Sequence, residues 1–298
     1  MSSVKKRILK KVAGGALQSF QKYLSKKTPE QTEITGEKLG RIFFKLAKRR
    51  RETTISNLSF AFPEMSVSDR TELARSVFAH FGRSTTDFLT SSGQTLESFE
   101  TSTEVIGKEH LEEGLARGKG VIMATGHFGN FERISTWFSL AGYPISVIIR
   151  DADQEDVNQL VNNIRTQYGT KIIPRGNAAR PMLECLRRNE IIGIISDQNA
   201  EDAFLPFFGK PAGTNLGVGV IQERTGAAVL PTTCVHLGRN RYRLQFYPLL
   251  EPLEEGKLKG EGMLRAINLW LEAVILEHPE QWLWMHDRWR NAREAGLL

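Results

Sequence analysis

The sequence predicts a mixed α/β fold: a mostly parallel central sheet covered by helices, preceded by an all-helical basic region. Two patterns carry this expectation. From about residue 100 onward, short Val- and Ile-rich runs at 120–125, 145–149, 172–174, 191–196, 228–236 and 242–247 alternate with amphipathic stretches at 107–117, 130–141, 153–168, 177–188, 215–225 and 261–277. Strands that alternate with helices in this way build a sheet covered on both faces. Upstream, apolar residues recur only at the three- and four-residue spacing of helices, so the chain divides into a helical region, 1–95, and an α/β core, 96–298.

Each helix of the first region has its own signature. Val4, Ile8, Leu9, Val12, Leu17, Phe20 and Leu24 mark one face of a first helix whose other face is cationic, with Lys5, Lys6, Arg7, Lys10, Lys11, Lys22, Lys26 and Lys27. Such a helix either lies in an anionic membrane interface, near residues 1–27, or packs on the protein's own core with its cations in water. A second helix is expected over 37–57, with Lys48 to Arg51 near its middle. Pro63 breaks the chain, and Ser68 opens a third helix with Leu73, Val77, Phe78, Phe81 and Thr85 on its buried side.

Composition narrows the function classes. The chain has 298 residues, 40 Lys plus Arg against 34 Asp plus Glu, and 40% hydrophobic residues, which describes a globular chain and not a disordered or disulfide-scaffold one. Residues 1–51 hold 15 cations and 3 carboxylates, so a basic head precedes a mildly acidic body. The cations lack interleaved aromatics and no nucleic-acid-binding motif follows, so nucleic acid is not an expected partner. Cys185 and Cys234 sit in apolar stretches without a CxxC pair, as in a reducing compartment. No run is long enough to span a membrane and no signal peptide is evident, which predicts a cytoplasmic chain. Nucleophile-elbow, HExxH and P-loop signatures are absent from the sequence.

In sheets of this type ligands bind beyond the carboxyl ends of the strands. The turn after the first clear strand reads Gly126-His127-Phe128-Gly129-Asn130-Phe131-Glu132. Five residues along a regular helix leave two side chains about 140° apart, so His127 and Glu132 meet only if His127 precedes the helix. A carboxylate on one imidazole nitrogen fixes the tautomer and leaves the other nitrogen free to take a proton from a hydroxyl. Taken alone, a histidine at a strand end is more often structural. Later strand ends and the helices after them add Arg150, Arg165, Arg175 and Asp197. Asp197 is a helix cap, a salt-bridge partner of Arg175 or a site residue. The apolar stretch Phe204 to Pro211, with Phe207 and Phe208, is expected to be a loop that walls an apolar channel or plugs one end of the core. Near the end of the chain, three tryptophans surround Arg288 and Arg290.

These motifs together resemble the late lipid A acyltransferases, the lauroyl and myristoyl transferases within the broader lysophospholipid acyltransferase superfamily. The resemblance covers roughly residues 40–290 and rests on Arg50, Asn57-Leu58, Phe62-Pro63, the Gly126-His127-x4-Glu132 block, Arg150, Arg175-Gly176, Asp197-Gln198, the Pro206-Phe207-Phe208-Gly209-x-Pro211 stretch and the Trp284 to Arg290 tail. It implies transfer of an acyl chain from an acyl carrier protein or acyl-CoA thioester to a hydroxyl of a lipid A-like or other glycolipid. It implies no metal or bound cofactor, His127 as general base, and Glu132 as the carboxylate that orients it. Asn130, Arg150, Arg165, Arg175, Asp197 and Arg288 become candidates for substrate binding, and Phe204, Phe207 and Phe208 for the acyl channel. The expected location is the cytoplasmic face of the bacterial inner membrane, with peripheral attachment to an anionic surface, because the spanning helix with which such proteins begin is not seen. The tail has Asp287 where a basic residue is expected. A lysophospholipid or glycerol-phosphate acyltransferase, or a silent lipid-binding relative, are the alternatives.

Overall fold

The computed structural model describes residues 15–149, 155–254 and 258–298. Arg150 and the first half of the first expected helix lie outside these residues. Helix α1 (15–24) leads into α2 (Pro29–Leu46), α3 (Lys48–Ala61), α4 (Val67–Thr90) and α5 (Leu96–Ser102). The core follows as β1 (Thr103–Ile106), α6 (Lys108–Ala116), β2 (Val121–Thr125), α7 (Glu132–Leu140), β3 (Ile145–Ile149), α8 (Glu155–Thr166), β4 (Lys171–Pro174), α9 (Ala179–Arg187) and β5 (Ile191–Ile195). It continues with β6 (Ala203–Phe207), β7 (Lys210–Thr214), α10 (Gly217–Thr225), β8 (Ala228–Gly238), β9 (Arg241–Phe246), α11 (Glu261–Glu277) and α12 (Arg290–Glu294). No described helix is long and apolar enough to cross a membrane.

Seven strands form one sheet in the order β1-β9-β8-β2-β5-β3-β4. All neighbours are parallel except β8 and β9, so the α/β expectation holds. Strand β2 lies near the centre of the sheet, and all five of its residues are buried. Its side chains alternate between two cores, as a strand requires. Ile122 and Ala124 pack with Met182 of α9, Ile221 of α10 and Ile267 of α11, while Val121 and Met123 pack with Phe99 of α5, Leu111 of α6 and Trp137 of α7. A third core joins α2, α3 and α4 to Phe128, Phe207 and the C-terminal tryptophans.

Four expectations change, the first being that the third helix is capped by Ser66 instead of Ser68 and leaves Phe81 and Thr85 exposed. The helix expected over 37–57 is two helices that break at Ala47, so Lys48 to Arg51 open α3 instead of lying mid-helix. Arg51 explains the break: its guanidinium donates to the carbonyls of Phe44 and Lys45, capping the C-terminal end of α2, where a cation is favourable. The expected apolar loop at 204–211 is a hairpin of β6 and β7. Phe208 and Gly209 both have positive φ, as a tight two-residue turn demands. Strand β1 was not expected, because only four residues of it pair, along β9.

Helices α2 and α4 touch backbone to backbone. A Cβ on Gly40 would lie 2.0 Å from the Phe78 carbonyl oxygen, and one on Gly82 would lie 2.1 Å from that of Gly36. Gly40→Ala therefore forces the helices apart and should destabilise the fold by about 1–3 kcal/mol, read as a lowered midpoint in urea unfolding with an unchanged slope.

Candidate active site

Strands β2 and β5 pair in parallel with a constant offset of seventy residues, ending at Thr125 opposite Ile195. Carried two residues beyond the sheet, the same offset sets His127 beside Asp197. The Asp197 carboxylate accepts three N–H groups: from His127 Nδ1 at 2.8 Å, from the His127 backbone at 2.7 Å and from Trp282 Nε1 at 2.8 Å. Gly126 permits this approach, since a Cβ there would come within 3.0 Å of the carboxylate and of Leu271. Gly129 has φ +60°, and a Cβ there would meet the Cys234 carbonyl at 2.1 Å, so the loop can turn this tightly only with glycine.

The electrostatics follow from this geometry. Burial opposes ionisation of Asp197, but the charge of His127 and the three N–H groups outweigh it and bring the carboxyl to about 2. Burial likewise opposes a charged His127, but Asp197, helped by the Glu132 charge, holds the imidazole above its ordinary 6.5. Because the ionised carboxylate can only accept, Nδ1 carries the ring proton and Nε2 offers its lone pair. Gln198 Nε2 approaches that lone pair at 3.4 Å, and His127 and Gln198 both line a cavity of about 1240 Å³.

This cavity opens where β2, β3, β4 and β5 end. Ile148, Ile149, Met182, Ile194, Ile195 and Val218 give it apolar walls, and Arg165, Arg175 and Arg180 also line it. None of its described lining residues is Asp or Glu. Arg175 follows β4, is exposed, and makes no ion pair among the described residues.

The other expected site residues are placed as follows. Asp197, and not Glu132, is hydrogen-bonded to the His127 ring; Glu132 opens α7, and both its oxygens are taken by the Arg165 guanidinium, Nε to Oε2 at 3.0 Å and a terminal nitrogen to Oε1. His127 does precede α7, but the strand register brings Asp197 to the imidazole, while Glu132 in the first turn of α7 pairs with Arg165 of α8. Asn130 is buried away from the cavity, donating to Asp87 at 2.7 Å in a cluster with Arg133 and Tyr242. Arg288 is fully buried; it donates to the Gly213 carbonyl and to Thr214 Oγ1 and lies over the Phe207 ring, 5.3 Å from its centroid. Burial lowers its pKa to about 10. It ties the hairpin to the tail and is not among the residues that line the cavity. Phe207 is buried against Trp282 and Trp289, Phe208 packs on Phe62 and Trp284, and Phe204 is exposed. None of the three lines the cavity, because the stretch expected to be a loop pairs as a hairpin and sends Phe207 into the aromatic core.

The C-terminal tail holds the loop from behind. Gly129 N–H donates to the Gln281 carbonyl, Leu283 N–H to the His127 carbonyl, and Asn199 N–H to His286 Nε2. Asn57 in turn donates to the carbonyls of Trp284 and His286, and Arg50 to that of Met285. Trp282 was the residue missed by sequence reasoning; the matched offset of β2 and β5 was the signal that could have paired Asp197 with His127. Among the described residues, no three His, Cys, Asp or Glu side chains cluster as metal ligands would.

The sequence model of the bacterial lipid A biosynthesis acyltransferases matches residues 24–291. The chain is 23% identical to a lipid A biosynthesis acyltransferase of Haemophilus influenzae, over 89% of this chain and 83% of that protein. It is 24% identical to the lipid A biosynthesis lauroyltransferase of Escherichia coli, over 86% and 84%. It is 26% identical to a phosphatidylinositol mannoside acyltransferase of Mycobacterium tuberculosis, over 61% of this chain and 58% of that protein.

Asp197→Asn removes the charge that raises the imidazole while leaving the burial that lowers it. The His127 pKa should therefore fall below 6.5 in an NMR titration of the histidine ring protons.

Proposed function

The chain belongs to the bacterial lipid A biosynthesis acyltransferase family and is an acyltransferase, and on that premise we propose that it moves a fatty acyl chain from a thioester to a hydroxyl of a lipid A-like or other glycolipid, with His127 as general base. The observation that carries this reading is the His127–Asp197 pair, with His127 lining a large, apolar-walled cavity that holds arginines and, among its described lining residues, no carboxylates. His127 Nε2 takes the proton of the acceptor hydroxyl as its oxygen attacks the thioester carbonyl. The tetrahedral intermediate collapses with cleavage of the C–S bond, and the imidazolium returns the proton to the departing thiolate. Asp197 carries no proton through this cycle; it fixes the ring and stabilises the imidazolium. The apolar wall suits an acyl chain, and Arg175 and Arg180 suit phosphates of donor or acceptor.

The donor is an acyl carrier protein or acyl-CoA, and no metal or bound cofactor enters the reaction. A phosphatidylinositol mannoside acyltransferase among the relatives supports an acceptor range wider than lipid A. The reaction takes place at the cytoplasmic face of the bacterial inner membrane, with the protein peripherally attached. Glu132 acts beside Arg165: while the pair is closed, its negative charge, which favours the protonated base, offsets the Arg165 charge, which opposes it.

The test is thiol release from acyl-CoA and from acyl carrier protein in the presence of a detergent-dispersed bacterial lipid extract, with products identified by mass spectrometry. His127→Ala should abolish lipid-dependent release, and Asp197→Asn should lower it by on the order of 10²-fold. Glu132→Ala should also lower it, because it frees the Arg165 charge beside the base. Release unaffected by His127→Ala would overturn the assignment. Lipid binding without release from any donor would favour a catalytically silent lipid-binding protein.

A further inference from the structure

Helix α2 is built inside out for a helix on a water-soluble protein. Amphipathic helices normally turn their large apolar side chains toward the core. The buried positions of α2 are Thr32, Gly36, Gly40 and Phe44, three of them small, and the glycines allow the backbone to lie directly on α4 at Phe78 and Gly82. Docking of this helix therefore needs few large side chains. Yet Ile34, Ile42 and Leu46 are present, and they are 53%, 51% and 77% exposed. At 100° per residue they fall within an arc of about 120° on the outward side. Lys38, Arg41 and Lys45 project from the same side and are also exposed. Arg41 pairs with Glu37 of the same helix, whereas Lys38 and Lys45 make no ion pair among the described residues. The exposed cations Lys48 and Arg49 of α3 extend the basic surface.

The first helix is different. Its described part, 15–24, turns Leu17, Phe20 and Leu24 onto Leu89 and Ile164, so these apolar residues serve packing within the protein.

We infer that the outward face of α2, where Ile34, Ile42 and Leu46 stand beside Lys38, Arg41 and Lys45, is the surface by which the protein lies on an anionic lipid bilayer. The inference rests on the reading of the chain as an acyltransferase of lipid acceptors and adds where it meets the membrane. Isolated apolar residues on a surface are ordinary, but several apolar side chains beside a group of cations on one outward helix face match a bilayer interface in both respects. Apolar side chains enter below the headgroups while lysines and arginines remain among the phosphates. A protein partner of the same size would need acidic groups arranged to match each cation; a fluid anionic surface needs no such match.

The experiment is sedimentation of the full-length protein with phosphatidylcholine–phosphatidylglycerol vesicles and with pure phosphatidylcholine vesicles, without any thioester. The wild type should bind the anionic vesicles and lose binding in high salt. The triple variants Ile34→Ser/Ile42→Ser/Leu46→Ser and Lys38→Gln/Arg41→Gln/Lys45→Gln should each weaken binding by about tenfold or more. Both should keep the wild-type melting temperature and the wild-type thiol release with detergent-dispersed acceptor. Unchanged vesicle binding in both variants overturns the inference, as does binding lost only when residues 1–14 are deleted. If the apolar variant instead dissociates a wild-type dimer and still binds vesicles, a second copy covers this face and the inference falls. Because binding is measured without turnover, an inactive protein that binds through α2 contradicts the proposed reaction and not this surface.

Discussion

The buried carboxylate of Asp197 is the constraint around which the site is arranged. At 2% side-chain exposure, an ionised carboxylate is tolerated only if its lost hydration is replaced, and three N–H groups and the facing imidazole replace it. The three donors come from two separate requirements of the fold. The His127 backbone N–H and ring are delivered by the register of β2 on β5, and the Trp282 indole by the C-terminal tail. Gly126 is the absence of a side chain that makes room. The pair also sets stability against function. A histidine whose folded pKa is raised stabilises the fold most below 6.5, and that contribution fades as pH rises through the folded value. Catalysis needs the neutral ring, so the enzyme works where the pair contributes less to stability.

The tail explains why helices far from the reaction belong to the same unit. Trp282 can reach Asp197 only if residues 281–286 are held against the His127 loop, and this is achieved by backbone bonds at Gly129, Leu283 and Asn199. Asn57 and Arg50, on α3, then satisfy the tail carbonyls that face away from the loop. Both belong to the N-terminal part of the family resemblance, and their work is to fix the tail. Arg288 does the same from within, joining the tail to the β6–β7 hairpin. His286 accepts the Asn199 N–H, and burial lowers its pKa to about 4, so it stays neutral and able to accept at the pH of catalysis.

Much of this was legible in the sequence where a periodic pattern had a single physical reading. The Val- and Ile-rich runs are strands because central parallel strands are buried on both faces, and His127 stands at a strand end because Gly126 and Gly129 release the chain there. Long-range pairing was not legible. Nothing local distinguishes Glu132, five residues from His127, from Asp197, seventy residues away; only the register of two strands decides between them, and it decides for Asp197. The arginines posed the same difficulty: Arg175 lines the cavity and Arg288 is sealed in the core, although both were equal candidates for substrate binding in the sequence. The hairpin at 203–214 was hidden because its turn residue Phe208 adopts positive φ, which a bulky residue rarely does. The inward glycines of α2 went unread, because their meaning lies in the neighbouring helix they touch.

The central claim is that Asp197 holds His127 with Nδ1 protonated and Nε2 bare toward the cavity. It is tested most directly by the nitrogen-15 shifts of the His127 ring, read from long-range proton–nitrogen correlations in the intact protein at a pH above its pKa. A protonated Nδ1 and an Nε2 with the shift of an unprotonated nitrogen is the predicted result. A ring protonated at Nε2 would contradict it, because the nitrogen facing the acceptor hydroxyl would then have no lone pair with which to take the proton.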